Sequence, residues 1–201
     1  MILVTGGTGL VGSHLLFELV KENQPVRALI RNLNKIEAVK KVFDYYTFNA
    51  QELIEKVEWV VGDVLDLGSL HDAFKDITKV YHCAAIVSFE GRNKNEIIRI
   101  NSEGTANIVN LGLEFNINKL CHVSSIASLG DAINGELADE NSKWIASKNR
   151  SAYSLSKYNS EMEVWRGIQE GLNAVIVNPS VILGPGFWNT GSGSLFTTAA
   201  K

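Results

Sequence analysis

The sequence predicts an α/β fold in which helices cover both faces of a doubly wound parallel β-sheet. Short apolar runs alternate along the chain with stretches of helical periodicity, a pattern typical of parallel sheets. A glycine-rich turn directly follows the first apolar run and leads into the first predicted helix. With 201 residues, 45% of them hydrophobic, the chain suits one sizeable domain with a buried core.

Six apolar runs are predicted to form the strands of this sheet. They comprise residues 2–4, 26–30, 57–61, 79–83, 119–123 and 174–177. The predicted helices comprise residues 10–21, a stretch after Asn34, and residues 67–74, 93–115 and 152–171. The connection over residues 31–56 is longer than a simple crossover needs and is rich in Lys and Asn, so we expect it to be helical and peripheral.

Three glycines, Gly6, Gly9 and Gly12, recur at three-residue spacing between the first strand and the first helix. Free backbone N–H groups and the positive end of the helix dipole meet at such a helix N-terminus, and glycines let a pyrophosphate approach the backbone closely. The turn therefore predicts a site for a nucleotide phosphate. The alternative is that the glycines serve backbone geometry alone.

Composition and charge argue against several classes of protein. The net charge of −3 and the dispersed basic residues do not suit nucleic-acid binding. No apolar run is long enough for a membrane span, and Met1 leads directly into the first strand, so we expect no secretory signal and a cytoplasmic protein. Cys83 and Cys121 are expected to be reduced thiols, and the four histidines lack metal-ligand spacing. A small molecule is the expected partner.

A tyrosine and a lysine, Tyr153 and Lys157, lie four residues apart and therefore on one face of a predicted helix. A neighbouring ammonium favours the ionised phenol and lowers the pKa of the tyrosine, which makes it a usable general acid or base near neutral pH. The same spacing also occurs on ordinary helices, where it has only a structural role. Ser124 and Ser125 follow the fifth apolar run, where a hydroxyl can hold a carbonyl oxygen while the phenol supplies its proton.

The glycine turn, the Ser-Ser pair and the Tyr-x-x-x-Lys pair occur together in the order and approximate spacing of a known family. Over essentially its whole length the chain resembles the extended short-chain dehydrogenase/reductase superfamily, whose members include NAD-dependent epimerases, dehydratases and ketone reductases. The resemblance implies a Rossmann-type NAD(P)-binding domain over residues 1–180. Residues 181–201 would then begin a smaller substrate-binding portion that is largely missing from this sequence.

The resemblance also implies roles for individual residues. Tyr153 would be the catalytic acid/base, and Lys157 would bind the nicotinamide ribose and tune Tyr153. Ser125 would hold the substrate oxygen, with Ser124 as the alternative. Asn101 would be a further catalytic residue, on the active-site face of its helix. The implied cofactor-binding residues are Gly6, Thr8, Gly9, Leu10, Val11, Gly12, Arg31, Asp63, Val64, Ala84, Ala85, Tyr153, Lys157 and Pro179.

Two polar residues bear on the choice of cofactor. Arg31 follows the second apolar run, where a carboxylate binds the ribose 2′-OH of NAD and an arginine accommodates the 2′-phosphate of NADP. Arg31 therefore favours NADP(H) over NAD(H), unless it is only a solvated loop charge. Asp63 resembles the acidic residue that contacts the adenine ring in the superfamily, although an aspartate there also suits a turn.

Within the superfamily, residues 85–90 and 95–98 resemble those of dihydroflavonol reductases and steroid-type ketone reductases more than those of sugar epimerases. We therefore expect an NADP(H)-dependent reductase that acts on a ketone or aldehyde. The alternatives are an NAD-dependent nucleotide-sugar epimerase or dehydratase, and a non-catalytic NADP sensor. A homodimer through the helices around Asn101 and Tyr153 is plausible by the same resemblance, but Met162, Trp165 and Ile168 equally suit an intramolecular core.

Overall fold

A computed structural model of the protein describes residues 1–87, 94–131, 137–145, 150–188 and 191–200. Six strands form one parallel sheet, as the apolar runs predict. They are β1 (Ile2–Thr5), β2 (Val26–Ile30), β3 (Val57–Val61), β4 (Lys79–His82), β5 (Lys119–Val123) and β6 (Ala174–Val177). Four strands have the predicted bounds, while β1 extends to Thr5 and β4 ends at His82.

The spatial order of the strands is β3-β2-β1-β4-β5-β6, so the winding of the chain reverses between β1 and β4. In open parallel sheets, ligands bind outside the carboxyl ends of the strands at such a reversal. The topology therefore indicates where a site would form. It confirms the prediction of a doubly wound sheet.

Helices connect the strands on both faces of the sheet. The described helices are α1 (Leu10–Lys21), α2 (Ile36–Phe43), α3 (Ala50–Glu55), α4 (Leu67–Ala73), α5 (Lys94–Glu114), α6 (Ala152–Gln169) and α7 (Ser194–Ala199). The prediction for α1 is confirmed at both ends, and α4 and α6 end one and two residues before their predicted limits. Asn93, the predicted first residue of α5, lies outside the described residues. No helix in the described ranges has the length and apolar character needed to cross a membrane.

The core consists of two layers, one on each face of the sheet, because successive side chains of a strand point to opposite sides. On one face, Val4 packs with side chains of α1, α2 and α3. On the other face, Leu3 packs with side chains of α4, α5 and α6, among them Ile108 and Val164. Both layers hold the carboxyl ends of the strands in a fixed relation to the helices.

The connection over residues 31–56 is helical as predicted, but the expectation that it is peripheral is wrong. Val39, Val42 and Phe43 of α2 are fully buried, and Ile54 of α3 packs in the same core layer as α1. The physical reason is that the apolar residues of α2 recur at helical spacing and form one continuous stripe. The Lys and Asn content reflects only the outer face of the segment.

The described part of the C-terminal stretch runs back towards the first half of the chain. The Trp188 indole Nε1 donates a hydrogen bond to the Tyr45 hydroxyl at 3.1 Å. A side chain on Gly184 would lie 3.6 Å from both His14 and Leu10 of α1. A domain boundary between residues 180 and 181 stays a prediction.

Candidate nucleotide and catalytic site

A cleft of about 210 Å³ opens at the carboxyl ends of the strands, where the winding reverses. Its lining includes eight of the residues named from the sequence as cofactor-binding. These are Gly6, Thr8, Gly9, Arg31, Asp63, Val64, Ala84 and Ala85. Leu10, Val11 and Gly12 begin α1 beside the cleft without lining it, and Pro179 lies on the loop after β6, where its carbonyl accepts a hydrogen bond from Ile126 N at 3.1 Å.

The three turn glycines have different surroundings. Gly6 has a φ of +71°, and a Cβ there would lie 2.5 Å from Ala84 N, while a Cβ on Gly12 would collide with the Gly6 carbonyl. These two glycines are therefore required by the packing of β1, α1 and the end of β4. A Cβ on Gly9 would meet only Gly6 O, at 3.4 Å. The space beside Gly9, at the N-terminus of α1, fits a phosphate group close to the backbone.

Arg31 and Asp63 face each other at one end of the cleft. Arg31 Nη1 lies 3.9 Å from Asp63 Oδ2, and the two side chains are 69% and 39% exposed. Asp63 Oδ1 accepts a hydrogen bond from Leu65 N at 2.9 Å, so Asp63 does shape the turn that follows β3. Its second oxygen and the Arg31 guanidinium remain accessible from the cleft.

The two serines after β5 point in different directions. Ser124 is buried, and its hydroxyl lies 3.2 Å from that of Ser128. Ser125 is partly exposed, its hydroxyl accepts a hydrogen bond from Ala127 N at 3.1 Å, and it hydrogen-bonds the Tyr153 side chain. Of the two serines, Ser125 is therefore the one that shares a surface with Tyr153.

Tyr153 and Lys157 lie in the first turns of α6, which begins at a Ser151 side chain that accepts a hydrogen bond from Ser154 N. Lys157 is only 2% exposed, and its Nζ donates a hydrogen bond to Val123 O at 2.8 Å. Burial lowers the pKa of Lys157 to about 8, against the opposing charge of Glu161. Cys83, with which Lys157 interacts, lines the cleft, whereas Ser125, Tyr153 and Lys157 are not among its lining residues.

The expectation that the pKa of Tyr153 lies below its usual value is wrong for this structure. Burial raises the pKa of Tyr153, and its hydrogen bond with Ser125 opposes that shift. The reason is that the phenol is largely removed from water, which disfavours its charged form. Tyr153 is therefore held in its neutral form, which is a proton donor.

Asn101 lies on α5, behind the cleft, and faces α6. Its Nδ2 donates to Ile86 O at 3.0 Å and to Ser156 Oγ at 2.9 Å, and its Oδ1 accepts from Ile86 N at 2.7 Å. These bonds join the segment after β4 to the helix turn that carries Tyr153 and Lys157. Within the described residues, the contacts of Asn101 are those of a positioning residue.

Sequence reasoning missed a buried polar row on the α5 side of the sheet. His82 Nδ1 lies 2.7 Å from Thr5 Oγ1, and His82 Nε2 lies 3.0 Å from Thr105 Oγ1. Because Thr105 donates its own proton to Asn101 O, at 2.6 Å, Thr105 accepts from His82 Nε2–H, and Thr5 donates to Nδ1. Burial lowers the pKa of His82 to about 3, so the ring is neutral.

A second missed group surrounds Glu161, one turn after Lys157 on α6. Its carboxylate lies 2.5 Å from both Ser128 Oγ and Asn178 Nδ2. The sequence signal that could have found it is a carboxylate at helical spacing from Lys157, on the face that the Tyr-Lys pair marks as buried.

Comparison with known proteins identifies the family behind this arrangement. The model of the NAD-dependent epimerase/dehydratase family matches residues 2–201. The chain belongs to this family. The predicted resemblance is thereby confirmed, and members of the family use a nicotinamide dinucleotide.

Two curated relatives illustrate the range of the family. The chain is 35% identical over 182 residues to the "Putative dihydroflavonol 4-reductase" of Synechocystis sp., a match that covers 90% of this chain and 49% of the relative. It is 33% identical over 168 residues to the "Putative UDP-glucose 4-epimerase" of Methanocaldococcus jannaschii, covering 80% of this chain and 48% of the relative. The chain thus spans about half the length of these relatives.

Among solved structures, the crystal structure of gox2253 superposes with a TM-score of 0.82 at 31% sequence identity. The match covers 100% of this chain and 57% of that one. The fold of the described residues therefore agrees with an experimentally determined one.

Proposed function

We propose that the protein is an NADP(H)-dependent oxidoreductase that reduces a ketone or an aldehyde. The observation that carries the proposal is the hydrogen bond between Ser125 and Tyr153, with the buried Lys157 one turn further along α6 and interacting with Cys83, which lines the cleft. The similarity to a relative named for dihydroflavonol reduction supports the same class of reaction.

The residues around the cleft suit a nicotinamide dinucleotide. The open space beside Gly9 suits the pyrophosphate, and Arg31 suits a 2′-phosphate on the adenosine ribose because its guanidinium is accessible and can pair with phosphate in a bidentate manner. Lys157 would hold the nicotinamide ribose. When bound, the reduced cofactor supplies a hydride to the carbonyl carbon.

The protein's own residues would then handle the substrate oxygen and its proton. The Ser125 hydroxyl would donate a hydrogen bond to the carbonyl oxygen, and the neutral Tyr153 phenol would transfer its proton to that oxygen. Lys157, charged below a pH of about 8, would stabilise the phenolate that results. Asn101 would keep the helix turn of Tyr153 and Lys157 in position through Ile86 and Ser156.

A direct assay tests the proposal. Incubation with NADPH and a panel of aldehydes and ketones should lower the absorbance of the reduced nicotinamide. In binding titrations, the Kd for NADPH should be lower than that for NADH. No oxidation of NADPH by any member of the panel would contradict the reductase, and tighter binding of NADH would contradict the cofactor preference.

A nucleotide-sugar epimerase is the second candidate, and the similarity to a relative named as a UDP-glucose 4-epimerase favours it. The same Ser, Tyr and Lys would serve a transient oxidation, and only the fate of the hydride would differ. Conversion of a nucleotide sugar without net consumption of cofactor would favour this candidate over the reductase.

We also propose a cytoplasmic homodimer that assembles through α5 and α6. Of the three apolar residues considered, Met162 and Trp165 are exposed on α6, whereas Ile168 packs against the core. The two exposed side chains support an interface. Sedimentation of the wild-type protein and, separately, of a Trp165→Ser variant tests it, and a wild-type protein that sediments as a monomer would contradict the dimer.

The proposed cytoplasmic location is tested by cell fractionation.

A further inference from the structure

A buried carboxylate joins three separate parts of the site. Glu161 is 7% exposed and lies on α6, one helical turn from Lys157. Its Oε1 contacts Ser128, in the turn after β5, and Asn178, in the loop after β6. A buried charge is costly unless polar groups surround it, and these contacts supply such groups.

The contact with Ser128 reaches the turn that carries Ser125. Ser128 Oγ lies 2.5 Å from Glu161 Oε1 and 2.6 Å from Ser125 O, and Ser128 N donates to the same carbonyl at 3.0 Å. The Ser128 side chain therefore lies between the carboxylate and the backbone of Ser125. Without the carboxylate, Ser128 would lose its contact with α6, and the turn that carries Ser125 would be held less firmly.

The contact with Asn178 reaches the same turn from the neighbouring strand. Asn178 Nδ2 lies 2.5 Å from Glu161 Oε1 and 3.3 Å from Ser125 O. Pro179 O also accepts a hydrogen bond from Ile126 N, at 3.1 Å, which joins the loop after β6 directly to the Ser125 turn. One carboxylate thus holds both loops against α6.

The charge of Glu161 also acts on Lys157. It raises the pKa of that ammonium against the larger effect of burial. The other titratable groups that interact with Lys157 are Cys83 and His82 on the β4 side and His122 on β5. His82 and His122 are neutral because burial lowers the pKa of each, and the thiol of Cys83 is neutral because burial raises its pKa to about 12. Glu161 is therefore the charged partner of Lys157 within this group.

We propose that Glu161 is a positioning residue for the reaction, which fixes the Ser125 turn and the loop after β6 relative to Lys157. The proposal rests on the proposed function, because it assigns to Ser125 and Lys157 the roles given above. Glu161 makes two separable contributions: its hydrogen bonds hold the Ser125 turn, and its charge favours the protonated form of Lys157.

Three variants separate these contributions. Glu161→Ala removes both and should lower kcat roughly 10- to 100-fold, because small displacements of catalytic groups carry penalties of that size. Glu161→Gln keeps an acceptor oxygen and should restore part of the loss, but the alkaline decline of kcat should shift to lower pH. Ser128→Ala keeps the charge and should lower kcat without that shift.

The matched control is Glu163→Gln, which removes a carboxylate of the same helix that pairs with Arg166 at the surface. It should leave kcat and its pH profile unchanged. A Glu161→Gln variant with the wild-type kcat and the wild-type pH profile would overturn the proposal. The proposal would also be overturned if Glu161→Ala and Glu161→Gln lowered kcat equally and the decrease in kcat merely followed the decrease in melting temperature.

Two measurements do not need turnover and so distinguish failure of this proposal from failure of the proposed function. Amide hydrogen exchange of residues 126–129 should be faster in Glu161→Ala than in Glu163→Gln. An NMR titration of the Lys157 side chain should show a lower pKa in Glu161→Gln than in the wild type. If both hold while no carbonyl compound is reduced, the positioning contacts stand and the assigned reaction is wrong; if neither holds, Glu161 has no such role.

Discussion

The two halves of the candidate site are formed by different kinds of chemical group. At the nucleotide half, around β1 and α1, the important features are backbone atoms and missing side chains, and the charged groups Arg31 and Asp63 are accessible to solvent. At the catalytic half, around β5 and α6, the features are buried side chains joined by hydrogen bonds, with Lys157 and Glu161 almost fully enclosed. In the proposed function, the first half would receive the cofactor and the second would hold the reacting groups in place.

The two halves should therefore respond differently to substitution. Changes in the nucleotide half should alter affinity or the fold of one turn, whereas changes in the catalytic half should alter the rate and its pH dependence. The following experiments test that division.

The largest effect is expected for Tyr153→Phe. The ring keeps its packing but loses the proton, so kcat should fall roughly 10²- to 10⁴-fold while the Kd for NADPH stays nearly unchanged. Tyr158→Phe is the matched control, because Tyr158 lies on the same helix and uses its ring to stack on Trp144 at 4.3 Å. Unchanged turnover in Tyr153→Phe would leave the non-catalytic sensor as the better explanation.

Two glycine substitutions divide the nucleotide half itself. Gly12→Ala forces a Cβ into the Gly6 carbonyl and should reduce the free energy of unfolding by about 1 to 3 kcal/mol. Gly9→Ala should leave stability nearly unchanged and weaken cofactor binding, because its Cβ points into the space proposed for the pyrophosphate. Thermal unfolding and cofactor titration measure both, and equal cofactor affinity in Gly9→Ala and the wild type would contradict the phosphate site.

Arg31→Ala should raise the Kd for NADPH about tenfold and change that for NADH little, since a hydrogen bond to a charged group contributes about 1.5 to 3 kcal/mol. Arg99→Ala serves as the control, because Arg99 is an exposed arginine on α5 that pairs with Glu103. A parallel change in both Kd values would show that Arg31 does not read the 2′-phosphate.

The smallest expected effect is a gradual change of kcat with pH. Lys157 is protonated below its pKa of about 8, so kcat for reduction should fall as the pH rises through that value. Tyr153 stays neutral there because burial raises its pKa. A kcat that is constant one pH unit above and below this value would show that the charge of Lys157 does not matter.

The two halves also differ in how far the sequence could predict them. The strands were predicted to within one residue because buried parallel strands are continuous apolar runs, and the glycine spacing located the cleft because it encodes backbone geometry. The contacts of Asn101, His82 and Glu161 could not be predicted, since they join elements that are far apart in the sequence. The wrong expectation for the pKa of Tyr153 has the same origin: helical spacing predicts proximity to Lys157, but the burial that raises this pKa depends on the complete fold.

The hydrogen bonds between Asn101 and the Ile86 backbone affect which substitutions position 86 can accept. Asn101 binds the backbone N–H and carbonyl of Ile86 and makes no demand on its side chain, which lines the cleft. Any residue at position 86 that keeps this backbone conformation can therefore alter the shape of the cleft while the catalytic helix stays where it is. In the proposed function, a substitution at position 86 would therefore change the range of substrates without changing the geometry of the catalytic residues.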